Sequence, residues 1–448
     1  MIRFLVWTGI LTLALLFILA VKVYFVIQEY KKRSYPFNIK LSGVLAYTER
    51  MTFAEGESIP IYYNSDKKIS CALYKLNSSL EEIGNITDQA ACIQSPSFKP
   101  QGGFSWTTTY KLPTNNLISG YYYLKMTQIE SPSEKFYLPI LIKPNKAPKI
   151  AVIASTNTWM AYNGYGGVSC YGDSRSSIWL KVINYVVLPH YNDVNNQEYD
   201  IPFNRPFDFK DELANHNSSI ELNEPHEVLG SHLIRGEWNL AGFLDKNNYE
   251  YGVYSDVDLA YDPELLKADL IIFNCHTEYW SDEMLANLRA YIERGGHVIF
   301  ASGNNLYKRI KYINGGYTYA YELTPSEKAY ALCGTFWNPA GFNSLAGIKV
   351  VDSSNWVFRN TDVKNGDVIG EEYGISGRET DKIGYESLGF KTLALGTNKY
   401  GPSYMVLKET EKGWVFNASS IRFTKGLQLD PRLDQMMRNL IDNAIQEK

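Results

Sequence analysis

The 448-residue chain lacks what a zinc knuckle, a phosphate cradle or a nucleic-acid surface needs. Its five cysteines, Cys71, Cys92, Cys170, Cys275 and Cys333, form no C-x-x-C pair, which argues against a zinc knuckle. Cys71 and Cys92 stand either as a disulfide, if their region lies in an oxidising compartment, or as two buried thiols. No glycine pattern matches a P-loop or G-x-G-x-x-G, so no phosphate cradle is supported. Basic charge is not in excess, and a net charge of -4 with a pI near 6.0 excludes the basic face of a nucleic-acid binder. Internal repeats and low-complexity segments are absent. Histidine is scarce, and His190, His216, His226, His232, His276 and His297 all fall between positions 190 and 297, so imidazole chemistry belongs to the middle of the chain.

Tyrosine, by contrast, is abundant at 34 residues, which suits either a β-rich protein or a carbohydrate-facing surface. Phe4 to Ala20 is an uncharged apolar run. About 20 apolar residues span a bilayer, and the run is long for a signal-peptide core and has no small-x-small cleavage site. Residues 1–33 therefore read as a single-pass membrane anchor. Lys31-Lys32-Arg33 after it favour a cytoplasmic bulk by the positive-inside rule. An anchor ahead of a β-rich domain favours export, and the expectation adopted is an extracytoplasmic bulk.

Residues 36–145 read as an immunoglobulin-like β-sandwich: ESIPIYYNS, KKISCALYKL, FSWTTTYKLP, SGYYYLKMTQI and EKFYLPILIKP alternate or run apolar between turn residues. Pro144 and Pro148 mark a boundary, since closely spaced prolines resist helix and central strand alike. Residues 149–448 read as an α/β domain on a mostly parallel, flavodoxin-like sheet. Its organising unit runs from Ala268 to Asn304. Leu270 to Phe273 is a buried strand, Ser281 an N-cap followed by Asp282 and Glu283, and Met284, Leu285, Leu288, Tyr291 and Ile292 recur at helical spacing. Gly295-Gly296 stops the helix, and His297 to Ala301 returns as a strand. The cluster Cys275-His276-Thr277-Glu278-Tyr279-Trp280 thus lies at the carboxyl edge of the sheet, where ligands of open α/β sheets bind. Ser302-Gly303-Asn304 reaches the same edge. Residues 187–231 form a long polar insertion, and Tyr307 to Glu372 reads as loop-rich.

Six ordered blocks, TWMAYNGYGG, FNRPF, Glu237-Trp238 with YGVYSDVDL, CHTEYWS, SGN and GWVFNASSIRF…GLQLDPR, resemble the C-terminal domain of the N,N-dimethylformamidase large-subunit family, which is similar to class I glutamine amidotransferases. The resemblance covers about 300 residues. It implies an amidase whose mononuclear iron is held by two tyrosines and a glutamate beside a histidine and an asparagine. Carried over, Tyr162 and Glu278 match the metal ligands, His276 and Asn304 the pocket residues, and Glu372 a further pocket acid. The second tyrosine position holds Phe207, which cannot ligate iron, and Tyr199 or Tyr171 are the candidates to replace it. Cys275 and Thr277 stand where Gly and Asp are usual.

These readings imply a membrane-anchored, metal-dependent hydrolase of non-peptide C–N bonds, acting on a small-molecule amide. In it a metal-polarised carbonyl is attacked by water while His276 moves a proton and Asn304 holds the oxyanion. The alternative is a surface binding protein without catalysis that recognises a carbohydrate-like ligand through its tyrosines.

Overall fold

The computed structural model describes residues 36–76, 80–167, 170, 199–207, 233–322, 330–341, 344–384 and 388–446, together with residues 7, 9–21 and 24–25. Tyr171 and most of the 187–231 insertion lie outside the described residues. Before residue 36 the longest described helical run is residues 9–21. No helix among the described residues is long and apolar enough to cross a membrane. The expected anchor over 1–33, and the membrane placement built on it, are therefore not supported.

The region 36–145 is all-β. A five-stranded sheet runs in the order Thr52–Ala54, Ser131–Lys143, Gly120–Gln128, Ile69–Leu76, Leu80–Gln89. We label Gly120–Gln128 β1 and Ser131–Lys143 β2; they form a long hairpin with Leu124 opposite Leu138. A smaller sheet of Leu45–Tyr47, Ile59–Asn64 and Tyr110–Leu112 accompanies it. Here the tyrosines are core residues: Tyr47, Tyr62, Tyr63, Tyr121, Tyr122 and Tyr123 are all buried. Tyr74, Tyr110 and Tyr137 of the same region are half-buried. Cys71 and Cys92 are free thiols.

Beyond it the labelled elements are β3 (Ile150–Ala154), α1 (Thr156–Tyr162), α2 (Ile234–Lys246), β4 (Tyr251–Ser255), α3 (Asp256–Tyr261), β5 (Leu270–Cys275), α4 (Asp282–Glu293), β6 (His297–Ser302), β7 (Ile348–Val350), β8 (Val368–Ile369), β9 (Thr380–Ile383), β10 (Lys391–Gly396), β11 (Tyr404–Glu409), β12 (Trp414–Asn417) and α5 (Pro431–Ile445). One nine-stranded sheet has the order β4-β3-β5-β6-β12-β11-β10-β7-β8. The first four pairings are parallel and the last four antiparallel. The sheet is mixed, not the mostly parallel flavodoxin-like one expected. Parallel neighbours need a crossover of a dozen or more residues, usually a helix, whereas antiparallel neighbours need only a turn. The β-α-β unit around α4 meets that need; between β10, β11 and β12 there are only turns, so those strands must alternate in direction.

Helix ends follow local chemistry. The Ser281 hydroxyl accepts from the Met284 backbone N–H at 3.3 Å and caps α4. Asp430 caps α5 by accepting from the Arg432 N–H at 2.9 Å, with Pro431 at the first helical position. A hairpin of Lys308–Ile313 and Gly316–Glu322 occupies part of the stretch expected to be loop.

A continuous apolar core joins the all-β region to α1 and α2, including Tyr121, Tyr123, Trp159 and Trp238. At its centre lies Glu237, which is fully buried. It accepts from the Tyr121 hydroxyl at 2.9 Å, the Ser155 N–H at 3.0 Å and the Trp159 indole N–H at 2.8 Å. Burial raises its pKa well above the ordinary carboxylate range, and the three donors only partly offset this.

Candidate active site

Strand β5 is six residues of unbroken burial, and it ends on Cys275 with a left-handed φ of 60°. That turn sends the chain abruptly off the sheet, and the following residues are tied on both sides. The Thr158 hydroxyl of α1 donates to the His276 carbonyl at 2.7 Å, and the Glu278 carbonyl accepts from the Tyr307 and Lys308 N–H groups. His276 and Glu278 are thereby fixed side by side and buried to 1% side-chain exposure.

Next to them, Asn304 follows β6 with φ 52°, and Leu306 has φ 56°. Arg378 (φ 64°) and Ser419 (φ 57°) lie on the segments that bond to the same edge. Left-handed conformations are uncommon for residues other than glycine, and they concentrate where geometry is held for function. Gly303 is required for close approach: a Cβ there would sit 2.6 Å from the Ile421 nitrogen and 2.8 Å from the Glu379 carbonyl oxygen.

Four side chains converge here. The His276 Nε2 is 3.4 Å from Glu278 Oε2 and 3.5 Å from Glu379 Oε2. The Asn304 Nδ2 donates to the same Glu379 oxygen at 2.7 Å. Burial by itself would lower the His276 pKa. Glu379 and then Glu278 outweigh it, so the imidazole is held protonated above the ordinary histidine range, with Arg378 opposing weakly. Tyr162, the last residue of α1, presents its ring edge-on to His276 with centroids 5.6 Å apart. Beneath the cluster, Asp381 accepts from the Asn304 N–H at 2.9 Å and the Asn305 Nδ2 at 2.8 Å. Burial raises the Asp381 pKa to about 7 despite those bonds, and Glu379 adds to the rise.

His276, Glu278, Asn304 and Tyr162 are thus brought together. Glu372 is not: it is exposed, in the turn next to Tyr373. Its place as the additional pocket acid is taken by Glu379, which the sequence reading missed. A signal existed. Glu379 and Asp381 are two apart in Arg378-Glu379-Thr380-Asp381-Lys382, and extended backbone puts residues two apart on one face, but Arg378 and Lys382 make the stretch read as a solvated charge run.

Arg205 of the R-P-F stretch is structural. Its guanidinium is buried and donates to the carbonyls of Met160, Asn163 and Tyr165, closing the end of α1 that carries Tyr162. At the second tyrosine position of the iron site that the resemblance implies, the described residues place Phe207. Phe207 is buried and has no donor atom; of Tyr199 only the backbone, paired with Tyr319, is described, and Tyr171 lies outside the described residues. Among the described residues no group of three or more His, Cys, Asp or Glu is arranged to hold a metal ion.

Comparison with known proteins places the chain in a family. The model of the N,N-dimethylformamidase beta subunit-like C-terminal family matches residues 76–439, most of the 448, and the chain belongs to that family. No curated protein matches. Among solved structures, the chain was aligned with a cycloisomaltooligosaccharide glucanotransferase from Paenibacillus sp. complexed with cycloisomaltoheptaose. The identity is 8% over 82% of this chain and 68% of that one, with a TM-score of 0.17. A score so low carries no argument about fold or ligand.

Proposed function

We propose that this member of the dimethylformamidase-like family hydrolyses a C–N bond of small, non-peptide amides, using His276, Glu278, Glu379 and Asn304. One observation carries the reading: a buried imidazole within 3.5 Å of two buried carboxylates, at a sheet edge where backbone strain is concentrated. Burying two acids against one base is costly for stability alone, and such clusters are more often kept for chemistry.

In this reading Glu278 takes a proton from water as the water oxygen bonds to the amide carbon. The His276 imidazolium, raised by its two acidic neighbours, donates its proton to the departing nitrogen as the C–N bond breaks. The proton on Glu278 then returns to His276 and resets the pair. Asn304 keeps Glu379 oriented against the imidazole, and Glu379 keeps that imidazole charged. No step is assigned to a metal, because among the described residues Phe207 leaves the second tyrosine position without a donor atom.

The test is amine or ammonia release from a panel of small formamides and acetamides by the full chain, beside His276→Gln. General acid–base groups contribute roughly 10²–10⁴-fold, so the variant should lose that much in kcat/KM. Release by the wild type no faster than in buffer would overturn the hydrolase reading.

A further inference from the structure

We propose that the amide cleaved here also carries a negatively charged group, which Lys308 and Arg378 hold at the rim of the site. The inference rests on the hydrolase reading and names the substrate class.

The cluster itself is buried: His276, Glu278, Asn304 and Glu379 are all shielded from solvent. A substrate must reach it past the neighbours that still meet water. Among the described residues tied to the cluster, these are Tyr162, Tyr307, Lys308 and Arg378, each half-buried. Tyr162 faces His276, and Arg378 precedes Glu379 in the chain. Tyr307 and Lys308 donate their backbone N–H groups to the Glu278 carbonyl at 3.1 and 2.8 Å. The two of these four that carry charge are both cations.

Neither cation is an ordinary surface side chain. Lys308 pairs in parallel register with Tyr279, the residue after Glu278. Its Nζ lies 4.4 Å from the centroid of the Tyr307 ring, and that ring packs on Trp337 with centroids 4.8 Å apart. The ammonium is thus laid along an aromatic wall. Burial lowers its pKa, and the Glu278 charge offsets part of that. Arg378 is held at a left-handed φ of 64°, with its N–H donating to the Ser344 carbonyl at 2.9 Å. Arginine is strained in that conformation, and the strain fixes the start of its side chain beside Glu379.

The hydrolysis derived above uses neither cation. Arg378 even works against the proton on His276, so keeping a guanidinium there needs another reason. The carboxylates of the cluster already face His276, and Glu379 also accepts from Asn304. An anionic group on the substrate supplies opposite charge to both rim cations. Partly desolvated ammonium and guanidinium groups bind a carboxylate through charge-assisted hydrogen bonds, about twice as strong as neutral ones.

The experiment uses the full chain and two pairs of amides, each pair matched in shape and differing in charge. N-formylglycine is set beside N-isobutylformamide, and succinamate beside 4-methylpentanamide, so that the charge lies on the nitrogen side or the acyl side. Each kcat/KM is divided by the uncatalysed rate. The anionic member should lead by about tenfold or more in at least one pair, and the lead should shrink as potassium chloride is added. Lys308→Glu should reverse the order. Should that variant fail to fold, Lys308→Met, which keeps an apolar stem against Tyr307, should erase most of the preference. Equal normalised rates within both pairs, or a lead for the neutral members, would overturn the proposal and leave the hydrolase reading intact. If no amide is hydrolysed, the hydrolase reading fails and the rim is read from binding of the same four compounds by saturation-transfer NMR. Signals from an anionic amide but not from its neutral partner would support the rim site. Equal signals, or none, would overturn it.

Discussion

Replacing Glu237 offers the sharpest test of how the buried polar chemistry is organised. The carboxyl group accepts from Tyr121, Ser155 and Trp159 in a fully buried setting, and burial holds it protonated. Glutamine copies a neutral carboxylic acid. Its amide oxygen can still accept from the Ser155 and Trp159 N–H groups, and its NH₂ can donate to the Tyr121 oxygen. At pH 5, Glu237→Gln should therefore cost only about 1 kcal/mol, the scale of one rearranged hydrogen bond. Alanine leaves three buried donors unpaired at about 1–3 kcal/mol each, so roughly 3–9 kcal/mol before any cavity term.

The pH dependence separates the protonated from the ionised case. Because the folded pKa is raised, the wild type keeps its full stability below the ordinary glutamate value and loses it as pH rises toward the folded pKa. With an unfolded value near 4.3, holding the proton at pH 7 costs at most about 3–4 kcal/mol, at 1.36 kcal/mol per unit. Glutamine titrates in neither state and escapes that loss. Thermal unfolding followed by tryptophan fluorescence at pH 5, 7 and 9 should show Glu237→Gln gaining on the wild type as pH rises. A glutamine variant as damaged as alanine at pH 5, or a difference that does not change with pH, would refute the protonated-acid argument.

The remaining predictions concern the site. The pH profile of kcat/KM should fall on its basic side as His276 loses its proton, at a pH above the ordinary histidine range. Glu379→Gln, which removes the largest favourable influence on that proton, should move the basic limb to lower pH; an unmoved limb would mean that His276 is not the titrating acid. Asp381 is raised to about 7, so stability should decline between about pH 4 and pH 7 on its account, and Asp381→Asn should flatten that decline in a pH series of Tm. Arg205→Ala leaves several buried carbonyls at the end of α1 without donors and should cost about 3–5 kcal/mol, the scale for a broken buried charged network; a drop in Tm of less than a degree would show that α1 does not depend on it. Protein grown in iron-supplemented medium should lack stoichiometric iron and a visible tyrosinate band; finding both would mean that a tyrosine other than one at position 207 completes a metal site.

Much of this was legible in the sequence, for identifiable reasons. The β5-α4-β6 unit announced itself through an apolar strand, a Ser281 cap and a glycine stop, all local signals. From these alone His276, Glu278 and Asn304 could be assigned to one edge. The end of β5 was less legible: the strand continues through Asn274 and Cys275, whose polarity hid their burial. The apolar run from Phe4 to Ala20 was a signal about hydrophobicity, and among the described residues no helix is long and apolar enough to cross a membrane. Tyrosine abundance was ambiguous in the sequence, and burial accounts for part of it, Tyr47, Tyr63, Tyr121, Tyr122 and Tyr123 among them, as β-sheet core.

The two larger errors, the sheet type and the missed Glu379, have one cause. A doubly wound parallel sheet lines its carboxyl edge with strand-to-helix loops, so that expectation does not look for acids on a short strand outside the sheet. In this sheet the chain beyond β8 instead folds back over that edge. Thr380 bridges Ser420 in antiparallel fashion, the Asp381 N–H donates to the Ser419 carbonyl, and the Ile421 N–H donates to the Glu379 carbonyl. Those three links lay the segment carrying Glu379 and Asp381 across the ends of β6 and β12, with Gly303 small enough to let it pass. The antiparallel pair of β9 with Thr335–Asn338, outside the nine-stranded sheet, is thus what delivers the second carboxylate to His276 and the anchor to Asn304. If that is right, Gly303→Ala should impair catalysis by displacing Glu379, and its basic pH limb should fall with that of Glu379→Gln, even though residue 303 carries no chemistry of its own.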